Sequence, residues 1–316
     1  MTTPLLDRKL LFVTGKGGVG KTTVAAGLAL LASQHGKRTL VGEVDAKGNL
    51  ADFYEVPPTS FDAREVAPKL FAMSMQTEES LKEYLRLQLK IPLVARIGPL
   101  ARTFDFVAQA APGVKEVLII GKFLWEVRER HYDLVVVDGA ATGHAVAQLA
   151  APQGIREMVK VGLVRDQTGW MLEILGDPAQ TGAIIVASPE EMPVNETIEL
   201  SGRIREETNV DLASVVVNRV LPELFGRGEE EVFDRLREPA QAEALAAAAG
   251  GPVTAILDGA QLAVTLRRTR AGHLARLREG LAKGTELLYV PELFTRHHGV
   301  RATQLVADAL GQELGF

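Results

Sequence analysis

The chain has 316 residues, with 35 Lys+Arg against 40 Asp+Glu, no cysteine, and apolar and charged fractions of 47% and 24%. Such fractions exclude disorder along the whole chain, and the formal charge of −5 argues against bulk polyanion binding. Without cysteine there is no disulfide framework, thiolate metal site, cysteine nucleophile or iron–sulfur ligand set. No apolar run approaches the ~20 residues that span a bilayer, and the run after Lys9 is too short for a signal-peptide core. The expectation is a soluble, cytoplasmic protein.

Short runs rich in aliphatic and β-branched residues recur at Leu10–Thr14, Thr39–Asp45, Leu70–Met75, Asp133–Asp138, Ala183–Ser188, Ser214–Asn218 and Leu287–Val290, with helix-like segments between them. Continuous apolar runs such as LVVVD and AIIVAS suit strands buried on both faces. The alternation predicts an α/β fold: a doubly wound, mostly parallel sheet flanked by helices. Two intervals exceed simple crossovers. A helical insertion is expected over about 76–130, with breaks near Pro92, Pro99 and Pro112. A second helical segment, rich in Ala, Glu and Arg, covers about 223–283. Its last helix places Leu262, Leu266, Leu274, Leu277 and Leu281 at the spacing of one helical face.

The decisive segment is LLFVTGKGGVGKTTVAAGLALLA. Gly15, Gly20, Lys21 and Thr22 fit G-x-x-x-x-G-K-[ST] between a predicted strand and an alanine-rich helix. In such a loop, here Gly15, Gly17, Gly18, Val19 and Gly20, backbone N–H groups converge on phosphate oxygens, and the helix N-terminus adds its positive end. Lys21 then reaches the β- and γ-phosphates, Thr22 ligates Mg²⁺, and Thr23 is placed to hydrogen-bond the α-phosphate. The same glycines also satisfy the dinucleotide pattern G-x-G-x-x-G, with Glu43 or Asp45 after the next strand. That pattern explains neither Lys21-Thr22 nor the distant apolar strand DLVVVD, whose Asp138 is placed to hold Mg²⁺ through water. Nucleoside triphosphate binding is the favoured reading.

The string GKGGVGKT resembles the deviant Walker A of the signal-recognition, partitioning and arsenite-pump class of P-loop ATPases. In that class the first lysine, here Lys16, reaches across a nucleotide-sandwich dimer to the partner's phosphates; otherwise Lys16 is simply a solvated lysine. EVDAKGNLAD resembles switch I of the arsenite-pump and tail-anchored-protein targeting ATPases, D-P-A-x-N-L-x-D, through Asp45, Asn49, Leu50 and Asp52. The resemblance implies that Asp45 orients the attacking water, the plainer role being an indirect metal or helix-cap contact. VVVDGAATGHAVAQLAAP resembles switch II, D-T-A-P-T-G-H, through Asp138, Ala140, Thr142, Gly143 and His144. His144 reads equally well as a helix-start hydrogen bonder. SVVVNRVLPE places Asn218 where the family reads adenine, and Pro291 stands where its adenine-covering loop begins. APGVKEVLIIGKF resembles the family's PG-x-x-E segment. The matches run from Leu10 to about Pro291, which favours one ATPase domain over 1–316.

This chain departs from the family at Ala46 and Lys47, where the pattern has Pro-Ala, and at Gly139 and Ala141, which replace Thr and Pro. It also lacks the cysteines through which the pumps bind metalloid and the eukaryotic factors clamp zinc. The chain most resembles bacterial proteins labelled anion-transporting ATPases. The resemblance implies an Mg²⁺-dependent ATPase whose homodimer switches conformation for an unidentified protein client or membrane partner. Helical residues over 76–130, together with Met158, Trp170 and Met171, are candidate client surfaces, with plain core packing the favoured alternative. The arginines Arg267, Arg268, Arg270, Arg276 and Arg278 offer a second reading, a partitioning-type ATPase on DNA or anionic lipid. An exposed helix face explains them more simply, so nucleic acid is not an expected partner. A third reading is a P-loop ligase or kinase of a metabolite.

Overall fold

The computed structural model describes residues 3–44, 49–89, 113–223, 225–226, 228–294 and 299–316. The first strand and helix are β1 (Leu10–Gly15) and α1 (Lys21–Gln34), followed by β2 (Thr39–Glu43) and α2 (Asn49–Phe53). Next come β3 (Arg64–Ala67), β4 (Leu70–Ser74), α3 (Thr77–Leu89), α4 (Val114–Arg128), β5 (Leu134–Ala141), α5 (Thr142–Met158) and α6 (Leu163–Leu175). The remainder is β6 (Thr181–Ala187), α7 (Glu191–Glu207), β7 (Leu212–Val220), α8 (Glu229–Leu236), α9 (Pro239–Ala249), α10 (Thr254–Gly280), β8 (Glu286–Pro291) and α11 (Val300–Leu314).

Among the described residues the strands form one 8-stranded sheet in the order β3-β4-β2-β5-β1-β6-β7-β8. All neighbours are parallel except β3 and β4. This is the expected doubly wound α/β architecture, and every strand read from the sequence is present. β3 escaped that reading because REVA is short, polar and half exposed. It closes the sheet edge with Arg64 and Glu65, charged residues that discourage further strand pairing.

Alternation along β1 separates two cores. Leu10 and Phe12 join a cluster with α4, α5, α6 and α7, while Leu11 and Val13 join one with α1, α2 and α11. α1 is buried continuously from Val24 to Ser33 because α11 covers the side that faces away from the sheet. Small alanines are what let a helix pack on both sides at once. α4 is the crossover helix into β5 and buries Ile119, Ile120, Phe123, Leu124 and Val127. The breaks expected near Pro92, Pro99 and Pro112 lie outside the described residues.

The leucine face expected on the last helix is divided. Leu277 and Leu281 are buried against the main body and Leu274 packs there, but Leu262 and Leu266 are 60% and 45% exposed. The cause is that only the C-terminal part of α10 lies on α7, where Gly280 sits against Ile198. Further along, α8, α9 and the start of α10 close a small separate cluster of Phe233, Val253 and Leu257.

Parallel pairing puts the carboxyl ends of β1, β2, β5, β7 and β8 at one edge of the sheet. In register, Asp138 faces Val13 of β1 on one side and Glu43 of β2 on the other. Gly139, which departs from the switch II pattern, is explained by this packing. A Cβ there would stand 2.6 Å from Phe12 Cε1 and 2.8 Å from the Val13 carbonyl oxygen. Installing the family's residue with Gly139→Thr should therefore cost about 1–3 kcal/mol of stability, measured by denaturant unfolding. An unchanged midpoint would show that β1 and β5 can part without penalty.

Candidate functional site

The glycine loop leaves β1 at Gly15 and enters α1 at Lys21. Gly17 and Gly18 are exposed, and a Cβ on either would meet nothing within 4 Å, so the outer side of the loop is open. Val19 is buried and anchors the loop in the core below. Gly20 has φ +95°, and a side chain on it would meet Asn218 Nδ2 at 2.2 Å. No side chain caps α1. Its first N–H groups therefore face the open loop, the arrangement in which a helix N-terminus accepts an anion.

Lys21 and Thr22 are half-buried in the first turn. Lys21 Nζ lies 3.3 Å from the Lys16 carbonyl oxygen, so it folds back over the loop. Thr22 Oγ1 donates to Asp138 Oδ2 at 2.7 Å. A hydroxyl and a carboxylate oxygen side by side, next to an open anion cradle, are the hard oxygen donors that suit magnesium on a triphosphate. Thr23, also half-buried, follows on α1. The two strands behind these groups are tied by Thr14 Oγ1, which donates to the Ala140 carbonyl oxygen at 2.9 Å.

The Asp138 carboxylate is felt beyond this pair. Burial, with that negative charge adding, pushes the Tyr54 phenol far above its usual range. Tyr54 therefore stays neutral and donates to the Ala26 carbonyl oxygen at 3.0 Å, pinning the segment after α2 to α1. The Val44 amide donates to the Asp138 carbonyl oxygen at 3.1 Å, which ties the end of β2 to the end of β5. Asp45, with Ala46 and Lys47, lies outside the described residues.

Lys16 is held within its own chain. Its ammonium is paired with the Glu196 carboxylate on α7, and both side chains are about one-third exposed, at 28% and 32%. Glu196 carried no signal in the sequence, since 180 residues separate it from Lys16. Glu43, at the end of β2, is buried and accepts from Ser74 Oγ at 3.4 Å.

Asn218 is 5% exposed and lies beneath the glycine loop. Nδ2 donates to the Val19 carbonyl oxygen at 2.9 Å, and Oδ1 accepts from the Arg219 amide at 2.9 Å. One further N–H and one further lone pair remain on the carboxamide, enough for one donor and one acceptor contact with a base edge. Pro291 ends β8 opposite Val220, at the same edge of the sheet. The structure thus brings the glycine loop, Lys16, Lys21, Thr22, Asp138, Asn218 and Pro291 to one edge. His144 is exposed in the first turn of α5 and makes no side-chain hydrogen bond among the described residues.

Of the client-side candidates, residues 90–112 of the insertion lie outside the described residues, and Met158, Trp170 and Met171 differ in burial. Met171 is core, Trp170 is half-buried with the Arg128 guanidinium 4.7 Å above its ring, and Met158 is exposed.

Known proteins are similar to this chain in sequence. A family model described as anion-transporting ATPase matches residues 8–168 and 164–241. The chain is 30% identical over 225 residues to ATPase BagA of Mycobacterium tuberculosis, covering 68% of this chain and 66% of that protein. The match thus spans slightly less than two thirds of the relative's length. An ATPase ASNA1 homolog of Entamoeba dispar is 26% identical over 259 residues, covering 68% and 77% of the two chains. ATPase GET3 of Phaeosphaeria nodorum is 32% identical over 177 residues, covering 54% of each. With the glycine loop, Thr22, Asp138 and most of the sheet inside the matched residues, the chain belongs to the anion-transporting ATPase family, a family of ATP-hydrolysing enzymes.

Proposed function

We propose that the chain is a magnesium-dependent ATPase that works as a nucleotide-sandwich homodimer and switches conformation for a client or partner protein. We read it as one P-loop ATPase unit over residues 1–316, with helical additions over about 76–130 and 223–283. The observation that carries this reading is the pair Thr22–Asp138 beside an open glycine loop and two lysines at one sheet edge.

In this reading the N–H groups of residues 17–22 and the Lys21 ammonium bind the phosphates, with Thr23 on the α-phosphate. Thr22 and Asp138 would hold magnesium, which when bound neutralises charge on the phosphate oxygens. Asp45 orients the attacking water by hydrogen bonding, and Lys16 of one protomer supplies positive charge to the other's phosphates. Asn218 and Pro291 bound the adenine end.

Lys16 must leave Glu196 before it can cross to a partner, so the pair opposes dimer closure. An ion pair exposed to this extent is worth about 0.2–1 kcal/mol, and a closing dimer breaks two of them, a factor of roughly 2 to 30 in all. Glu196→Gln should accordingly shift ATP-dependent dimerisation to lower protein concentration by that factor, read by analytical ultracentrifugation. A shift the other way would mean that Glu196 supports closure rather than opposing it.

The competing readings gain little. Of the five arginines of α10, Arg267, Arg268 and Arg270 are paired with the Glu223, Glu230 and Glu292 carboxylates, and Arg278 donates to the neutral Tyr289 hydroxyl, so more than half of that basic face is offset within the chain. No helix among the described residues is long and apolar enough to cross a membrane. A metabolite ligase or kinase would need its acceptor for turnover, whereas a switch ATPase releases phosphate from ATP alone. The cytoplasm is the compartment this reading implies.

Lys21→Ala should abolish ATP turnover in a phosphate-release assay. Asp45→Asn should leave ATP binding near its original strength and slow hydrolysis by roughly 10²–10³-fold, the scale of a lost polar contact in the transition state. Unchanged turnover in Asp45→Asn would remove the water-positioning role.

A further inference from the structure

The base end of the site is not self-supporting. β7 and β8 lose register between Val217 and Val220, where Asn218 sits. Arg219 follows with φ +59°, a left-handed conformation that is strained for a residue with a side chain. Such a residue persists only where its surroundings over-determine it. Here its amide donates to Asn218 Oδ1, and its carbonyl oxygen accepts from Arg270 Nη1 at 3.2 Å. The same Nη1 lies 3.8 Å from Glu292 Oε2, immediately after Pro291. The Glu292 amide in turn donates to the Val220 carbonyl oxygen at 2.9 Å. One turn away on α10, Arg267 Nη1 donates to the Leu221 carbonyl oxygen at 2.8 Å.

These contacts make a continuous chain from α10 to the glycine loop. Arg270 holds Arg219, Arg219 orients the Asn218 carboxamide, and Asn218 Nδ2 holds Val19. A surface arginine that only decorated the helix would have no reason to meet a strained carbonyl group and the residue after Pro291 together. Its side chain is 23% exposed and that of Glu292 28%, so the junction is partly shielded from water.

We infer that Arg270 is a positioning residue for the nucleotide base, acting through Arg219 and Asn218 on one side and Glu292 on the other. It sets base selectivity without touching the phosphates. The inference rests on the proposed assignment of Asn218 and Pro291 to the base. It also gives the α8–α10 lobe a route to nucleotide affinity, because Arg270 stands on the helix shared by the lobe and the site.

The test is calorimetric titration of the full chain in magnesium with ADP, GDP and inorganic pyrophosphate, which has no base. Arg270→Ala should weaken ADP roughly fivefold to tenfold, the worth of about one ordinary hydrogen bond. Pyrophosphate should stay within about twofold, and the preference for ADP over GDP should shrink. Glu292→Gln, a milder change that keeps a side chain of the same size, should move the same ratio in the same direction. It carries the test if circular dichroism shows Arg270→Ala to be unfolded. Equal losses for ADP and pyrophosphate would mean that Arg270 merely stiffens the loop, and would overturn its role. Wild-type protein binding ADP no more tightly than GDP would overturn the base-site assignment itself. A wild-type preference that survives both substitutions would overturn only the part given to Arg270.

Discussion

Thr22 and Asp138 are 116 positions apart in the chain and 2.7 Å apart in space, and the rest of the site depends on that closeness. It follows from sheet topology rather than from the two residues themselves. β5 lies beside β1 although several elements intervene in sequence, and both strands point the same way. A parallel arrangement sends the loop that follows each parallel strand to the same edge, where ligands of open α/β sheets gather. Charge and phosphate affinity are then concentrated without any element having to bend toward another.

The interior is built to protect that edge. α1 carries the first turn of the site on its N-terminus and is enclosed between sheet and α11 by small side chains. Asn218 plugs the underside of the loop, and the hydroxyl of Thr14 links β1 to β5. These are backbone-directed contacts. They hold the loop in shape while leaving its outer N–H groups to a ligand.

Most of the fold was legible because its signals are local. Runs such as LVVVD and AIIVAS declare strands buried on both faces, and the glycine-lysine-threonine string declares the loop. What stayed illegible is set by tertiary neighbours. β3 has no apolar pattern, since an edge strand with charged residues needs none. The leucines of α10 have one spacing and two fates, because contact with α7 covers only the end of that helix. Gly139 stands in the sequence only as a departure from the switch II pattern; beside Phe12 it is a condition of strand contact. Glu196 is one of many glutamates until α7 is laid against the loop. Asn218 was legible as a strand-end amide, but its grip on Val19 was not. Asp45 rests on pattern alone.

The α8–α10 lobe differs from the body in how it is held together. Its cluster has Phe233, Val253 and Leu257 as buried members, and α9 buries none of its residues. A helix reading PAQAEALAAAA relies instead on the intrinsic preference of alanine for helix. Amide hydrogens in that lobe are thus set to exchange through local opening well below the cost of global unfolding. The lobe is the part that opens at least cost, and the strained turn after Asn218 is where it joins the sheet.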